Sequence, residues 1–388
     1  PTSDTTTAPE SSSASTLSAE GGTTDASLSS WALKPLQISP AGNSGAATTN
    51  IPIEVPPGRK NIAPNLSLNY SSNSGNGWIG VGWSLDMGAI QRSTKRGVDY
   101  SANDYVVMVN GSTSELVPRG DWGTNYYGAK IEGAFSKYQK ISDTAGWEVI
   151  TKDGSKYYYG TTSASRQDNA NGVFKWCLDK VQDTNGNYMT VSYTKDQGEI
   201  YLDRIDYSWN TAGLNPTNYV KFYLESRTDV PPMYTSNAEV KTAYRLKTID
   251  VMANGQRVRA YALGYSASSS TSRSILSNVQ QYGQDAALDA NGTVTGGTAL
   301  PGMSMAYQVG GSGFEKTLFD RSGIEANDYT KVFSGDFNGD GKTDIAAIHH
   351  NGISVEYSWV AFSNGDGTFN KVLFDRSGIE ANDYTKVF

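Results

Sequence analysis

The chain has 388 residues, with 32 basic and 39 acidic side chains, a net charge of −7 and an isoelectric point near 5.0. It holds one cysteine, Cys177, and two histidines side by side, His349 and His350, which excludes an intrachain disulfide, a zinc ribbon and a His-rich metal site. No run of about 18 apolar residues occurs, so no membrane-spanning helix is expected, and acidic charge spread along the chain argues against nucleic acid as the main partner.

Taken in order, residues 1–30 contain 16 Ser or Thr and no Lys, Arg or aromatic residue. Such a segment cannot bury enough apolar surface to offset its chain entropy, and disorder is expected. It has neither the basic nor the apolar region of a signal peptide, and it begins at Pro1.

Residues 31–312 read as the main β region. The whole chain carries 41 Gly, 13 Pro and 24 Tyr, the make-up of strands bounded by tight turns. Apolar and polar residues alternate at Leu66/Leu68/Tyr70, Val220/Phe222/Leu224 and Met303/Met305/Tyr307/Val309. Asn110-Gly111, Asp153-Gly154, Asn185-Gly186 and Asn254-Gly255 are hairpin signals, because such pairs tolerate positive φ. The expected fold class is all-β, a shell or sandwich-like region, with stacked sheets, a barrel or an extended β shell all compatible with many short strands and such turns.

Residues 313–388 contain a repeat. Leu318–Phe333 recurs identically at Leu373–Phe388, an offset of 373 − 318 = 55. A period near 50 residues predicts propeller blades or a β array, cut short here at residue 388. Within it, Asp336-Phe337-Asn338-Gly339-Asp340-Gly341-Lys342-Thr343-Asp344 places oxygen side chains at its first, third, fifth and ninth positions. A hard cation needs six or more oxygens, and alternate residues of a Gly-bent loop point inward. Ca²⁺ is therefore expected on Asp336, Asn338, Asp340, the carbonyl of Lys342 and Asp344. An EF-hand is ruled out, since its twelfth position here is Ala347 and not Glu. Asn364-Gly365-Asp366-Gly367 reads as a hairpin turn.

This loop, with Val332–Gly335 before it and Phe362–Phe369 after it, resembles the calcium loop of FG-GAP/VCBS repeats, a family of β-propeller blades. A second resemblance starts at Ile38–Gly42 and runs through Ile51–Arg59, Ala63–Ser72 and Gly80–Leu85, where a buried Trp83 ends a Gly-rich loop. It continues more weakly at Leu116-Val117-Pro118, Tyr157–Gly160 and Trp176–Asp183. These stretches resemble the N-terminal domain of the SpvB family, which the B components of Tc toxin complexes and many Rhs-type toxins share. The resemblance implies a structural part of a secreted bacterial toxin complex: a shell that holds or presents a toxic effector. Its implied partners are proteins, an effector-bearing C component and a translocating A component, with no nucleic acid and no direct membrane insertion.

Enzymatic readings are weaker. The family's transferase domain uses a Ser-Thr-Ser strand and a Glu-x-Glu pair; Ser112-Thr113-Ser114 occurs, but Glu-x-Glu occurs nowhere. A Ser-His-Asp hydrolase would need His349 or His350, and no Gly-x-Ser-x-Gly elbow precedes a helix. The expectation is a protein that is not an enzyme, with a carbohydrate-binding or carbohydrate-cleaving β protein as the rival reading. Cys177 reads as a buried bystander, and Tyr157–Tyr159 as a strand packed on both faces.

Overall fold

The computed structural model describes residues 38–41, 45–109, 111–230, 232–307, 330–350, 355–365 and 368–373. Residues 1–30 and almost all of both copies of the repeat lie outside them, as do the side chains of His349 and His350. The chain divides into two compact units, Pro1–Val309 and Gly310–Phe388. Among the described residues structure is β throughout, apart from single 3-10 turns at Arg59–Asn61 and Gly120–Trp122.

In the first unit the Gly172–Gln182 strand is the junction of the fold. On one side run Ala89–Arg92, Tyr105–Val109, Ser112–Pro118, Tyr126–Ala129, Lys137–Ser142, Gly146–Ile150 and Lys156–Tyr159, each antiparallel to the next. The last of these pairs back onto the junction strand (Tyr157 opposite Val181), so eight strands close into a barrel. On its other side the junction strand pairs with Asn187–Asp196, and the sheet continues through Glu199–Asn210, Asn218–Ser226, Tyr244–Ala253, Gln256–Ala267 and Ser274–Tyr282 to Met303–Ser304. The first half of the junction strand binds Ala89–Arg92 and Arg166–Asn169, and the second half binds Lys156–Tyr159 and Asn187–Asp196.

Sequence period explains these elements. Barrel strands alternate because one face points inward: Tyr105, Val107, Leu116, Tyr127, Trp147 and Val149 are buried, whereas Val106, Met108 and Glu148 are not. The junction strand departs from alternation, with Val173, Phe174, Trp176, Cys177, Leu178, Asp179 and Val181 all buried, since it is covered on both faces. Asn254 and Gly255 take φ of 50° and 76° between the paired residues Ala253 and Gln256, a two-residue hairpin turn of the kind that pair favours.

A four-stranded sheet, Ser39–Ala41, Ala46–Ile53, Leu66–Ser71 and Trp83–Ser84, packs Ile51, Ile53, Leu66, Leu68 and Trp83 into the same core as the long sheet's Tyr207, Val220, Phe222, Ile249 and Tyr261. Polar bonds pin it there. The Trp83 indole donates to the Tyr307 hydroxyl (2.7 Å), which donates to the Leu276 carbonyl (2.7 Å). Tyr207 donates to the Pro56 carbonyl and Arg59 to the Ser208 carbonyl. The expected burial of Trp83 holds, at 2% exposure.

The second unit shows one four-stranded meander, Thr330–Gly335, Asp344–His350, Val355–Ser363 and Phe369–Leu373, paired in chain order. Its buried cluster is Ala347, Trp359 and Ala361, with Ile345 and Phe369 against it.

Candidate functional site

The Asp336–Asp344 loop joins the first two strands of the meander, with Gly339 and Gly341 at φ of 78° and 79°. Its side chains turn onto the loop's own backbone. Asp336 accepts from the amides of Gly339 (2.7 Å), Asp340 (3.1 Å) and Gly341 (2.9 Å). Asn338 Oδ1 accepts from the Asp340 amide, and Asp340 Oδ1 from the Lys342 amide. Asp344 is fully buried and accepts from Phe337 N (2.9 Å) and Ser363 N (2.8 Å), tying the loop to the Val355–Ser363 strand. Backbone donation from Lys342 holds the Asp340 carboxyl below its ordinary range. Among the described residues no three His, Cys, Asp or Glu groups gather closely enough to hold a metal ion. The spacing of the five residues places them on one loop, but in this geometry their oxygens satisfy amides rather than converge on a centre.

The remaining sequence candidates fall as follows. The strand carrying His349 and His350 shifts register between them, with His349 opposite Tyr357 and His350 opposite Val355. Ser112-Thr113-Ser114 opens a barrel wall strand, with Ser112 paired opposite Val109. Cys177 is buried against Ala89 and Ile200, and loss of solvation pushes its thiol up to about 11. The Tyr157–Tyr159 run splits: Tyr159, opposite Trp147, faces the barrel interior with Tyr157, whereas Tyr158 faces outward beneath the Lys180 ammonium.

The barrel interior was not foreseen from sequence. Tyr105, Tyr127, Trp147 and Trp176 meet edge-on or tilted with ring centres 4.9–6.0 Å apart, arrangements favoured by the ring quadrupole. Arg92, only 3% exposed, donates to the carbonyls of Val173 and Ala102 and to Asp143. Lys140 donates to the Tyr105 hydroxyl (2.6 Å) and pairs with Asp143 (2.7 Å). Burial alone would lower the Lys140 pKa, but Asp143 and the Tyr105 hydroxyl outweigh it and raise it. Gly160, at φ +68°, lies so close that a Cβ would come 2.2 Å from Trp176 Cδ1. Most of these groups bond one another, although the buried Trp147 indole N–H has no hydrogen-bond partner among the described residues, and the rings fill the interior as a packed core. A weak signal existed, in the aromatic residues at inward positions of successive predicted strands.

A second unforeseen cluster joins three distant segments. Arg227 donates to Asp229 (2.5 Å and 2.9 Å), to the Gly77 carbonyl and to Asn76; Asp229 also accepts from the amide and hydroxyl of Ser274. Burial would raise the Asp229 pKa, but these donors hold it far below the carboxylate range.

Comparison with known proteins follows the same division. Residues 41–225 match the family described as Salmonella virulence plasmid 65kDa B protein, SpvB. The mono(ADP-ribosyl)transferase SpvB of Salmonella choleraesuis strain SC-B67 is 27% identical over 203 residues, and that of Salmonella typhimurium strain 14028s is 26% identical. Each match covers 45% of this chain and 34% of the relative, so the chain spans about a third of the relatives' length. Among solved structures, the TcdB2-TccC3 crystal structure superposes with a TM-score of 0.58 at 17% identity, over 94% of this chain and 21% of that one. The Photorhabdus luminescens Tc holotoxin pore gives 0.57 at 18% identity, over 93% and 20%. The N-terminal domain of SpvB from Salmonella typhimurium LT2 gives 0.50 at 18% identity, covering 65% of this chain and 98% of that domain.

Residues 41–225 of the first unit therefore resemble the SpvB family by sequence. The protein is related to SpvB by sequence and to Tc toxin components by fold. The expectation that it is not an enzyme is corrected: the relatives are named as mono(ADP-ribosyl)transferases, which are enzymes, and the match lies within about a third of their length. The sequence argument failed because it weighed only motifs inside these 388 residues. Among the described residues no helix is long and apolar enough to cross a membrane.

Proposed function

We propose that this chain serves as a structural shell segment of a secreted bacterial toxin assembly, contacting an effector-bearing component and a translocating component. The observation that carries this reading is the likeness of fold to TcdB2-TccC3 across 94% of the chain. Its physical support is a first unit that joins a closed barrel, a long sheet and a packed second sheet through one continuous core, a rigid wall of the kind an enclosure requires. The test is co-expression with an Rhs-type partner followed by size-exclusion chromatography. Co-elution in a fixed ratio supports the reading. Separate elution, together with saturable binding on a glycan array, overturns it in favour of a carbohydrate-binding protein.

The proposal extends to the second unit as a propeller blade of FG-GAP/VCBS type carrying Ca²⁺ on Asp336, Asn338, Asp340, the Lys342 carbonyl and Asp344. In its favour stand the alternate oxygen spacing, the two positive-φ glycines and the four-strand meander. Against it stands the donation of three amides to Asp336, which a cation would have to displace. Calorimetric titration with Ca²⁺ decides: saturable binding lost in Asp340→Ala supports it, and no heat overturns it.

A further inference from the structure

Between the Asn218–Ser226 and Tyr244–Ala253 strands the chain makes an excursion over the outside of the junction strand. It is fastened at both ends. The Tyr100 hydroxyl (2.7 Å) and Asn169 Nδ2 (3.0 Å) donate to the Ser236 carbonyl, and Asn237 Nδ2 donates to the Val98 carbonyl. The Lys241 amide donates to the Gln197 carbonyl, and Thr242 Oγ1 donates to Glu199 Oε2 (2.9 Å). Between the Arg227–Asp229 cluster and these anchors, Met233 and Tyr234 are exposed at 42% and 61%.

Beneath this strap lies a pocket of about 160 Å³. Phe174, Met233 and Val240 form apolar walls, and Gln167, Lys175 and Glu199 supply polar groups. Drug-sized ligands need roughly 300–1,000 Å³, so this space suits a small molecule. The Lys175 ammonium has no hydrogen bond and no ion pair within 4 Å among the described residues. Burial alone would lower its pKa, but the fields of Cys177, Glu199 and Asp86 outweigh this and raise it, so it is a cation at neutral pH. Glu199 accepts from the Ile200 amide and from Thr242, which uses two of the about four lone-pair sites of a carboxylate. Gln167 spends its amide N–H on the Gly198 carbonyl (2.8 Å), leaving its oxygen as an acceptor. One unpaired cation and one acceptor-rich anion therefore share a small pocket with apolar walls, without bonding each other.

We propose that this pocket binds a free α-amino acid with a short apolar side chain. Its carboxylate would meet Lys175 Nζ, its ammonium Glu199 and the Gln167 oxygen, and its side chain Phe174, Met233 and Val240. The strap is itself a short antiparallel pair, Pro232 opposite Lys241 and Met233 opposite Val240, so ligand entry requires the Met233 side chain to swing aside while that pair holds. This inference stands apart from the toxin-assembly reading, because it uses only groups within the first unit.

The test is titration of the full chain with L-valine, followed by calorimetry and by the methyl resonances of the protein's methionines. The expected result is saturable binding with a Kd on the order of 1 mM and a shift of the Met233 methyl that saturates on the same curve. Isobutyrate and isobutylamine, which each lack one charge, should bind at least about ten-fold more weakly, as valine should to Lys175→Met and Glu199→Gln. Absence of saturable binding overturns the proposal and leaves the pocket a wet seam between Lys175 and Glu199. Binding that shifts another methionine and spares Met233 also overturns it; this readout needs no variant to fold.

Discussion

The barrel and the meander of the second unit are written in the same alternating code, yet they solve the burial problem differently. In the barrel every inward position meets another: Trp176 lies against Tyr105 and Trp147, and donates to the Asp143 carbonyl. The meander buries one large ring, Trp359, among small neighbours, Ala347 and Ala361, while Val332 and Leu373 on its outer strands stand 61% and 69% exposed. Closure removes sheet edges and gives each side chain a partner on all sides; the four described strands of the meander pair only in chain order, Thr330–Gly335 to Phe369–Leu373. The difference teaches that alternation specifies a face, and that topology decides how much of the face leaves water.

The sharpest way to break this contrast is truncation of the two buried tryptophans. Trp176→Ala should destabilise the first unit by ~3–5 kcal/mol, read as a lowered urea midpoint. Trp359→Ala should leave that midpoint in place and alter only the meander. Equal losses in the first unit from both substitutions would show that the contrast is false.

Next in size is the Arg227–Asp229 cluster. Arg227→Ala leaves a buried carboxylate uncompensated and should cost roughly 3 kcal/mol. Its pH dependence has a fixed sign. The folded pKa of Asp229 is depressed, so its stabilisation is complete above the unfolded value of about 3.9 and is lost as pH falls below it toward the folded value. Asp229→Asn should therefore flatten the acid limb of the stability curve; an unchanged limb between pH 5 and 2, taken here as a rough window, would remove the cluster's role.

Smaller again is Asp344→Ala, which strips acceptors from the part-buried amides of Phe337 and Ser363. The expected cost is about 1–3 kcal/mol, seen as faster amide exchange in the Asp336–Asp344 loop and at Ser363, with the first unit unchanged. Smallest is deletion of residues 1–30, whose polar composition predicts an unchanged Tm; a drop of several degrees would reveal a docked segment.

Much of the fold was legible in sequence because its causes are local. Leu66 and Leu68 alternate with polar residues and are buried; Asn254-Gly255 makes the turn that its φ tolerance allows. A barrel was one of the architectures that the strand-and-turn pattern allowed, but which strands close it was not legible, since closure depends on pairing Tyr157 with Val181 across a loop, and nothing local encodes that register. The candidate site was legible only as spacing. Asp336, Asn338 and Asp340 do share a tight loop, but short Asp and Asn side chains reach nearby amides as readily as a shared centre. Lys175 and Glu199 come together solely through sheet order, 24 residues apart by 199 − 175. The strap above them reads in sequence as an ordinary connection.

Cys177 offers a clock for the molecule's seam. Only the thiolate reacts with disulfide reagents, and loss of solvation pushes this thiol up to about 11, so at neutral pH it is held as the unreactive thiol. The sulfur sits on the junction strand opposite Ala89, walled by Ile200, so a reagent reaches it only when barrel and sheet part along that line. At reagent concentrations high enough that labelling no longer speeds up, its rate is the frequency of that parting; at lower concentrations it reports the population of the parted state. Because this chain has a single cysteine, the signal needs no engineered probe. The same burial shields the one thiol of the folded chain from oxidants in solvent.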